Sequence, residues 1–169
     1  SVFYRCFQTY IEQNQEIHRI RHIAPMVDIG MVMTICTILD ALLKEHGEAL
    51  KQLKEEDQRT AYEAMFIYAG LWAIGSSIGG GQDDEKDQKE FNSIWRSSSK
   101  VKFPEGGLVF DYFYDPAKNN WISWITKVPI YTPTEDMAFT KIYVSTLQTT
   151  RLRYLLDIHV NQIKPVLFI

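Results

Sequence analysis

Apolar residues recur at intervals of three and four through most of the first hundred positions, so the chain reads as a succession of amphipathic helices. Phe3, Phe7, Tyr10 or Ile11, Ile17 and Ile20 form one stripe and predict a helix over residues 3–22, ended by Pro25. Asp28 is placed to N-cap a second helix carrying Met31, Ile35, Ile38, Leu39, Leu42 and Leu43, which Gly47 is expected to close. Residues 44–59 are charged and helix-permissive, and form either a solvated loop or an exposed helical extension. A third helix, over about 57–78, carries Tyr62, Met65, Phe66, Ala69, Leu71, Trp72 and Ile78, apolar on most of its circumference. Such a helix must be buried on several sides. A fourth fits 84–98, with Phe91, Ile94 and Trp95 facing inward. Together these helices make a compact bundle.

Gly70 and Gly75 fall inside the third helix, where glycine costs about 0.5–1 kcal/mol relative to alanine. Their expected use is the tight approach of a neighbouring element. Gly79-Gly80-Gly81 is expected to be a helix stop. A phosphate loop there is disfavoured, because no strand precedes it and Asp83, Asp84 and Glu85 follow it.

The period changes at Lys100. After the punctuation Phe103-Pro104-Glu105-Gly106-Gly107, the run Leu108 to Tyr114 is aromatic and β-branched, as a strand should be. Asp115-Pro116-Ala117-Lys118-Asn119-Asn120 supplies turn residues, and Trp121 to Ile125 returns as the partner strand of a hairpin. Pro129 and Pro133 make an extended connector, and Lys141-Ile142-Tyr143-Val144 a brief extended segment. A last helix, from Thr146 to about Gln162, carries Leu147, Leu152, Tyr154 or Leu155, Leu156 and Val160, capped by Thr146 or Ser145. The final run, Lys164-Pro165-Val166-Leu167-Phe168-Ile169, has the character of a buried parallel strand and no turn signal after it. Both ends are read as boundaries within a longer chain. The fold class expected is α+β.

Charge and cysteine content narrow the functional classes. A net charge of −3 with scattered Lys and Arg gives no electrostatic footprint for nucleic acid. No run approaches the roughly 18 apolar residues of a bilayer span, so no membrane partner is expected. Cys6 and Cys36 occupy helical positions in apolar surroundings and are expected to be buried free thiols of a reducing compartment. His18 and His22 lie four apart but lack a third ligand, and read as a surface pair. His46 and His159 are isolated. Asp83, Asp84, Glu85 and Asp87 read as a solvated helix start, and Met31 with Met33 as core filler. No nucleophile, base and orienting group stand together.

Four separated stretches carry a resemblance. The run Phe103 to Tyr112, followed by an aromatic hairpin, resembles the stretch joining the second and third AAA+ modules of dynein heavy chains. The run Tyr62 to Gly75, ending in Trp72-x-x-Gly75, is similar to the apolar helix of the second module's helical lid. Ile142 to Arg151 resembles the opening of the third module, where the family often has Val-Pro-Thr, and Lys164 to Ile169 resembles its first core strand before the Walker A loop. The wording around Thr149 to Tyr154 is most similar to axonemal dyneins.

That resemblance implies a helical lid over residues 1–99, a β-hairpin and connector over 100–140, and the start of the next large subdomain over 141–169. It implies a motor fragment of an ATP-driven, six-module ring that steps along microtubules in the cilium or flagellum. In the full-length protein ATP or ADP with magnesium is the implied cofactor. The fragment lacks Walker A and Walker B residues and is expected to bind none alone. The implied partners are the rest of the dynein ring, the microtubule through distant parts of the chain, and dynein intermediate and light chains; the implied setting is the cytoskeleton of the axoneme.

In the family the Val-Pro-Thr stretch lies against adenine, so the resemblance points to Val144, Ser145 and Thr146 for base contacts; without it, the same residues are a strand end and a helix cap. Ser145 departs from the family's proline, which leaves the extended geometry less firmly fixed. Arg151 and Arg153 either approach phosphates, pair within the ring, or are solvated helix residues. Trp72, Phe91, Trp95, Phe110, Tyr112, Trp121 and Trp124 are expected to lock the bundle to the hairpin. The competing class is a non-enzymatic scaffold or adaptor with a β-hairpin docking surface.

Overall fold

The computed structural model describes residues 20–23, 27–79, 84–132, 138, 140 and 142–166. Residues 3–19 of the expected first helix, Cys6, His18, Gly80, Gly81, Asp83 and the final run from Leu167 to Ile169 lie outside these. Helix α1 spans Asp28–Lys51, α2 Glu55–Gly75, α3 Asp84–Ser98 and α4 Leu147–Asn161; strands β1 (Tyr112–Asp115) and β2 (Asn120–Ser123) form an antiparallel hairpin. The α+β class is as expected.

Helix α1 begins one residue earlier than a cap at Asp28 would require. Val27 is the N-cap, and Asp28 enters the first turn, where a carboxylate favours the exposed N–H groups. Gly47 does not end it. Helical pairing continues to Lys51 because Leu50, fully buried, anchors the last turn in the core. The core face is Met31, Ile35, Ile38 and Leu42. Cys36 and Met33 lie on the opposite face and are exposed, which corrects their expected burial; residue type suggested core, but their angular positions do not.

Helix α2 is the central element, and every residue from Ile67 to Gly75 is buried. It ends at Gly75, before Ile78, because Ser76 and Ser77 turn the chain and the backbone beyond pairs with a distant segment. Ile23 donates its N–H to the Ser77 carbonyl at 2.8 Å, Gly79 donates to the Arg21 carbonyl at 3.1 Å, and His22 and Ile78 form an antiparallel bridge. Arg21 to Ile23 are therefore strand-like rather than the end of a helix. The helix stop falls before the glycine run.

Both helical glycines admit aromatic rings, as their expected role requires. A Cβ on Gly70 would stand 3.2 Å from the Trp95 ring, and one on Gly75 would stand 2.6 Å from Phe110. Helix α3 keeps its expected bounds and buries Phe91, Ile94 and Trp95. Its first turn is not wholly solvated, however. Asp87 is buried, and it accepts a hydrogen bond from the Arg21 backbone N–H at 3.4 Å.

The loop after α3 is organised by Arg96. Its guanidinium lies over the Phe103 ring, 5.7 Å from the centroid, and donates to the carbonyls of Pro104 (2.8 Å) and Gly106 (3.0 Å). Its Nε donates to Asn92 Oδ1, which also accepts the Val109 N–H at 2.8 Å. Gly106 and Gly107 turn the chain with φ of +86° and +54°, a conformation disfavoured for other residues. The expected strand from Leu108 starts late. Val109–Asp111 form a 3₁₀ turn closed by Asp111, whose Oδ2 accepts the Leu108 N–H at 2.8 Å.

In the hairpin Tyr114 faces Trp121 and Asp115 faces Asn120 across the ladder, and Asp115 Oδ1 accepts the Ala117 N–H to tighten the turn. The inner face stacks Trp121 on Phe103 at 4.1 Å. The returning strand is shorter than expected, since Trp124–Lys127 coil into a second 3₁₀ turn that carries Trp124 against Phe113 at 4.9 Å. Among the described residues, the buried indole N–H groups of Trp95, Trp121 and Trp124 find no acceptor. These side chains are held by their ring faces.

Candidate functional site

Residues 142–146 run without strand pairing into α4, and Thr146 caps that helix. The Thr146 hydroxyl accepts the Thr149 N–H at 3.2 Å, while Thr149 Oγ1 accepts the Thr146 N–H at 2.8 Å. This reciprocal cap uses a threonine where glutamate or glutamine is more usual. The Thr146 side chain is thereby committed to the helix. Val144 is 52% exposed and Ser145 half-buried, so this stretch presents an exposed apolar side chain ahead of a helix N-terminus. Two residues into the helix, Gln148 lines a cleft of about 610 Å³ together with Ile38, Trp72, Ser76, Leu155 and His159.

Helix α4 packs by part of its expected stripe, with Ile158 in place of Leu152 and Val160. Leu152 and Val160 are exposed, whereas Leu147, Tyr154 and Leu155 pack on the core and Ile158 is buried. Tyr154 meets Trp124 with centroids 5.3 Å apart. Arg151 lies on this inner stripe. Its Nη1 donates to the Phe110 carbonyl at 3.0 Å and lies 3.6 Å from Asp111 Oδ1, and its guanidinium carbon lies 5.4 Å from the Trp72 ring centroid. Burial pulls its pKa below the usual arginine value, with Asp111 acting in opposition. Of the two arginines, only Arg153 is a solvated residue, 3.9 Å from Asp157 and exposed.

His22 is half-buried and shares a 2.8 Å hydrogen bond between its Nδ1 and Ser77 Oγ; burial lowers its pKa, and the charge of Asp87 partly offsets this. It is a structural clamp between the Arg21–Ile23 segment and the end of α2. No cluster of three or more His, Cys, Asp or Glu capable of holding a metal occurs among the described residues.

The tyrosines at these contacts are protonated anchors. Burial, with the charges of Asp57 and Asp115 adding to it, pushes Tyr114 up to about 12; burial and Glu45 raise Tyr154, and burial raises Tyr68 well above the usual value. In the unfolded chain these groups ionise near pH 10. Between about pH 10 and 12 the unfolded state therefore binds fewer protons than the folded one, and stability falls as pH rises. The urea midpoint is expected to be lower at pH 11 than at pH 9.

A family model described as "Dynein heavy chain AAA lid domain" matches residues 3–126. The ciliary dynein beta chain of Tripneustes gratilla is 32% identical over 153 residues, 89% of this chain and 3% of that protein. Dynein axonemal heavy chain 11 of Sus scrofa is 30% identical over 149 residues, 87% of this chain and 3% of that protein. The flagellar outer-arm dynein beta chain of Chlamydomonas reinhardtii is 32% identical over 152 residues, again 87% and 3%. The chain spans about 3% of the length of the curated relatives it matches.

Proposed function

The chain belongs to the dynein heavy chain AAA lid family, and on that premise we propose that it passes nucleotide-driven movement from one module of a motor ring to the next. Residues 1–99 are assigned to the helical lid of the second AAA+ module, 100–140 to the hairpin and connector, and 141–169 to the opening of the third module. The whole protein, on this reading, is an ATP-driven motor of the axoneme that works on microtubules with intermediate and light chains. Support for the setting comes from the ciliary, axonemal and flagellar names of the relatives. The scaffold alternative accounts for the helices but not for the family match.

One observation carries the mechanism: α4 is seated on Trp72 of the lid through Arg151, and on the segment that follows the lid through Tyr154 against Trp124 and Arg151 against the 3₁₀ turn. Aromatic pairs run on from there, from Trp72 to Phe110, Phe110 to Phe91 and Phe91 to Trp95, with centroids 5.3–5.6 Å apart. Packed this way, the helical layer and α4 move together, because close-packed interfaces shift between discrete arrangements rather than deforming. Nucleotide with magnesium, when bound in the ring, supplies contacts that differ between states; a lid turns by no more free energy than that difference, typically a few kcal/mol.

Val144 is assigned to the adenine ring, with Ser145 contributing backbone groups beside it and Thr146, whose N–H and hydroxyl serve the α4 cap, fixing where that stretch ends. An exposed apolar side chain before a capped helix fits that role. No Walker lysine or acid is among these residues, so hydrolysis belongs to other parts of the heavy chain.

In the full motor, Trp124→Ala is expected to lower the distance moved per ATP hydrolysed while leaving nucleotide affinity at the second module nearly intact. Gliding velocity divided by turnover rate measures the first, and nucleotide titration the second. Unaltered coupling would remove the proposal.

A further inference from the structure

The inward positions of α4 are Leu147, Arg151, Tyr154 and Ile158, spaced four, three and four apart as on any packed helix face. Three of them are ordinary packing residues. The second is an arginine whose side chain is only 17% exposed. A leucine there would avoid the desolvation that a buried charge entails, and exchanging buried charges for apolar side chains is often neutral or stabilising. What the guanidinium adds is direction, because its planar fork fixes donor vectors and a stacking plane together.

The seat for that fork is itself held in place. Asp111 Oδ2 is occupied by the Leu108 N–H at 2.8 Å, which leaves Oδ1 for Arg151. Gly107 keeps the space beside this carboxylate open, since a Cβ there would come within 2.8 Å of Oδ2. The Phe110 carbonyl, which takes the 3.0 Å hydrogen bond, belongs to the same 3₁₀ turn, and Trp72 offers its ring from α2. Three fixed groups from two elements thus define one orientation of a side chain on a third.

We infer that Arg151 is a positioning residue that sets the register and tilt of α4 on the lid, with Asp111, the Phe110 carbonyl and the Trp72 face as its seat. For its consequence in the motor, this rests on α4 being the opening helix of the following module. Apolar contacts alone would hold α4 on the surface but tolerate sliding; the arginine seat does not. Arg151 holds no nucleotide in this assignment.

The test uses the full-length heavy chain carrying Arg151→Met or Arg151→Lys. Amide hydrogen exchange is followed over residues 147–161 and 55–75, together with gliding velocity, turnover and KM for ATP. Arg151→Met, which fills space without the fork, is expected to raise exchange in α4 about tenfold while α2 stays protected. Arg151→Lys keeps a charge near Asp111 but loses the planar face, and is expected to recover part of the protection. Velocity per ATP falls in both variants while KM is unchanged, a split that general loss of structure would not give. Unchanged α4 exchange in Arg151→Met, or equal loss of protection in α2, overturns the inference. Raised α4 exchange with undiminished velocity per ATP supports the seat and counts against the coupling reading, so the two failures are distinguishable.

Discussion

Replacing Phe110 with alanine is expected to destabilise the chain by about 3–5 kcal/mol, the usual range for deleting a buried phenyl ring. Phe110 is 6% exposed and joins three elements. Its ring stacks on Phe91 from α3 with 5.5 Å between centroids and a 16° interplanar angle, tilts against Trp72 of α2 at 5.6 Å, and covers Gly75. The space it vacates borders rings whose own partners hold them, including Trp95 stacked on Phe91. Collapse into the cavity is therefore restricted, which places the cost toward the upper end. Equilibrium urea unfolding followed by far-ultraviolet circular dichroism measures it. A loss below about 1.5 kcal/mol would mean that the 3₁₀ turn is not anchored through this ring.

The second large effect is expected at Gly75→Ala, where the sign depends on Phe110. In the native background the new methyl would stand 2.6 and 2.7 Å from two Phe110 carbons and 3.0 Å from Phe91, distances that force the rings or the helix to move. Overpacking of this kind costs about 1–3 kcal/mol. In a Phe110→Ala background the nearest obstacle is gone. Alanine's advantage over glycine in a helix, about 0.5–1 kcal/mol, should then make the same substitution neutral or stabilising. A double-mutant cycle reads this as a coupling of about 1–3 kcal/mol. Additive costs would show that the helix end absorbs the methyl without reference to the ring above it.

Periodicity and turn chemistry made much of the architecture legible. Residues 84–98 alternate charges with Phe91, Ile94 and Trp95 at helical spacing, and the helix has those bounds. Thr146 offered a cap before an apolar stripe, and it caps α4. The Asp115 to Asn120 turn signal lay between two aromatic runs that do pair. Misreadings arose where residue type was given more weight than position. Cys36 and Met33 were assigned to the core by character although the stripe through Met31, Ile35 and Ile38 leaves them outside. Asp87 reads as solvated because it is charged, and for Arg151 charge alone leaves phosphate contact, pairing and solvation open; its position three and four residues from packed apolar neighbours is what singles out the inward, paired placement. Pairing of Arg21 to Ile23 with Ser77 to Gly79 joins segments more than fifty residues apart, and no local pattern announces such a pairing. The adenine assignment to Val144, Ser145 and Thr146 came from resemblance, because exposed extended backbone looks alike whether or not a ligand lies on it.

Among the described residues the indole nitrogens of Trp95, Trp121 and Trp124 are shut away from acceptors, and this has an optical consequence. A chromophore kept from water and given no polar contact emits at the short-wavelength end of the tryptophan range. Colour in this chain thus reports ring packing between the bundle and the hairpin, and loosening of that seam reddens the light as water reaches the rings.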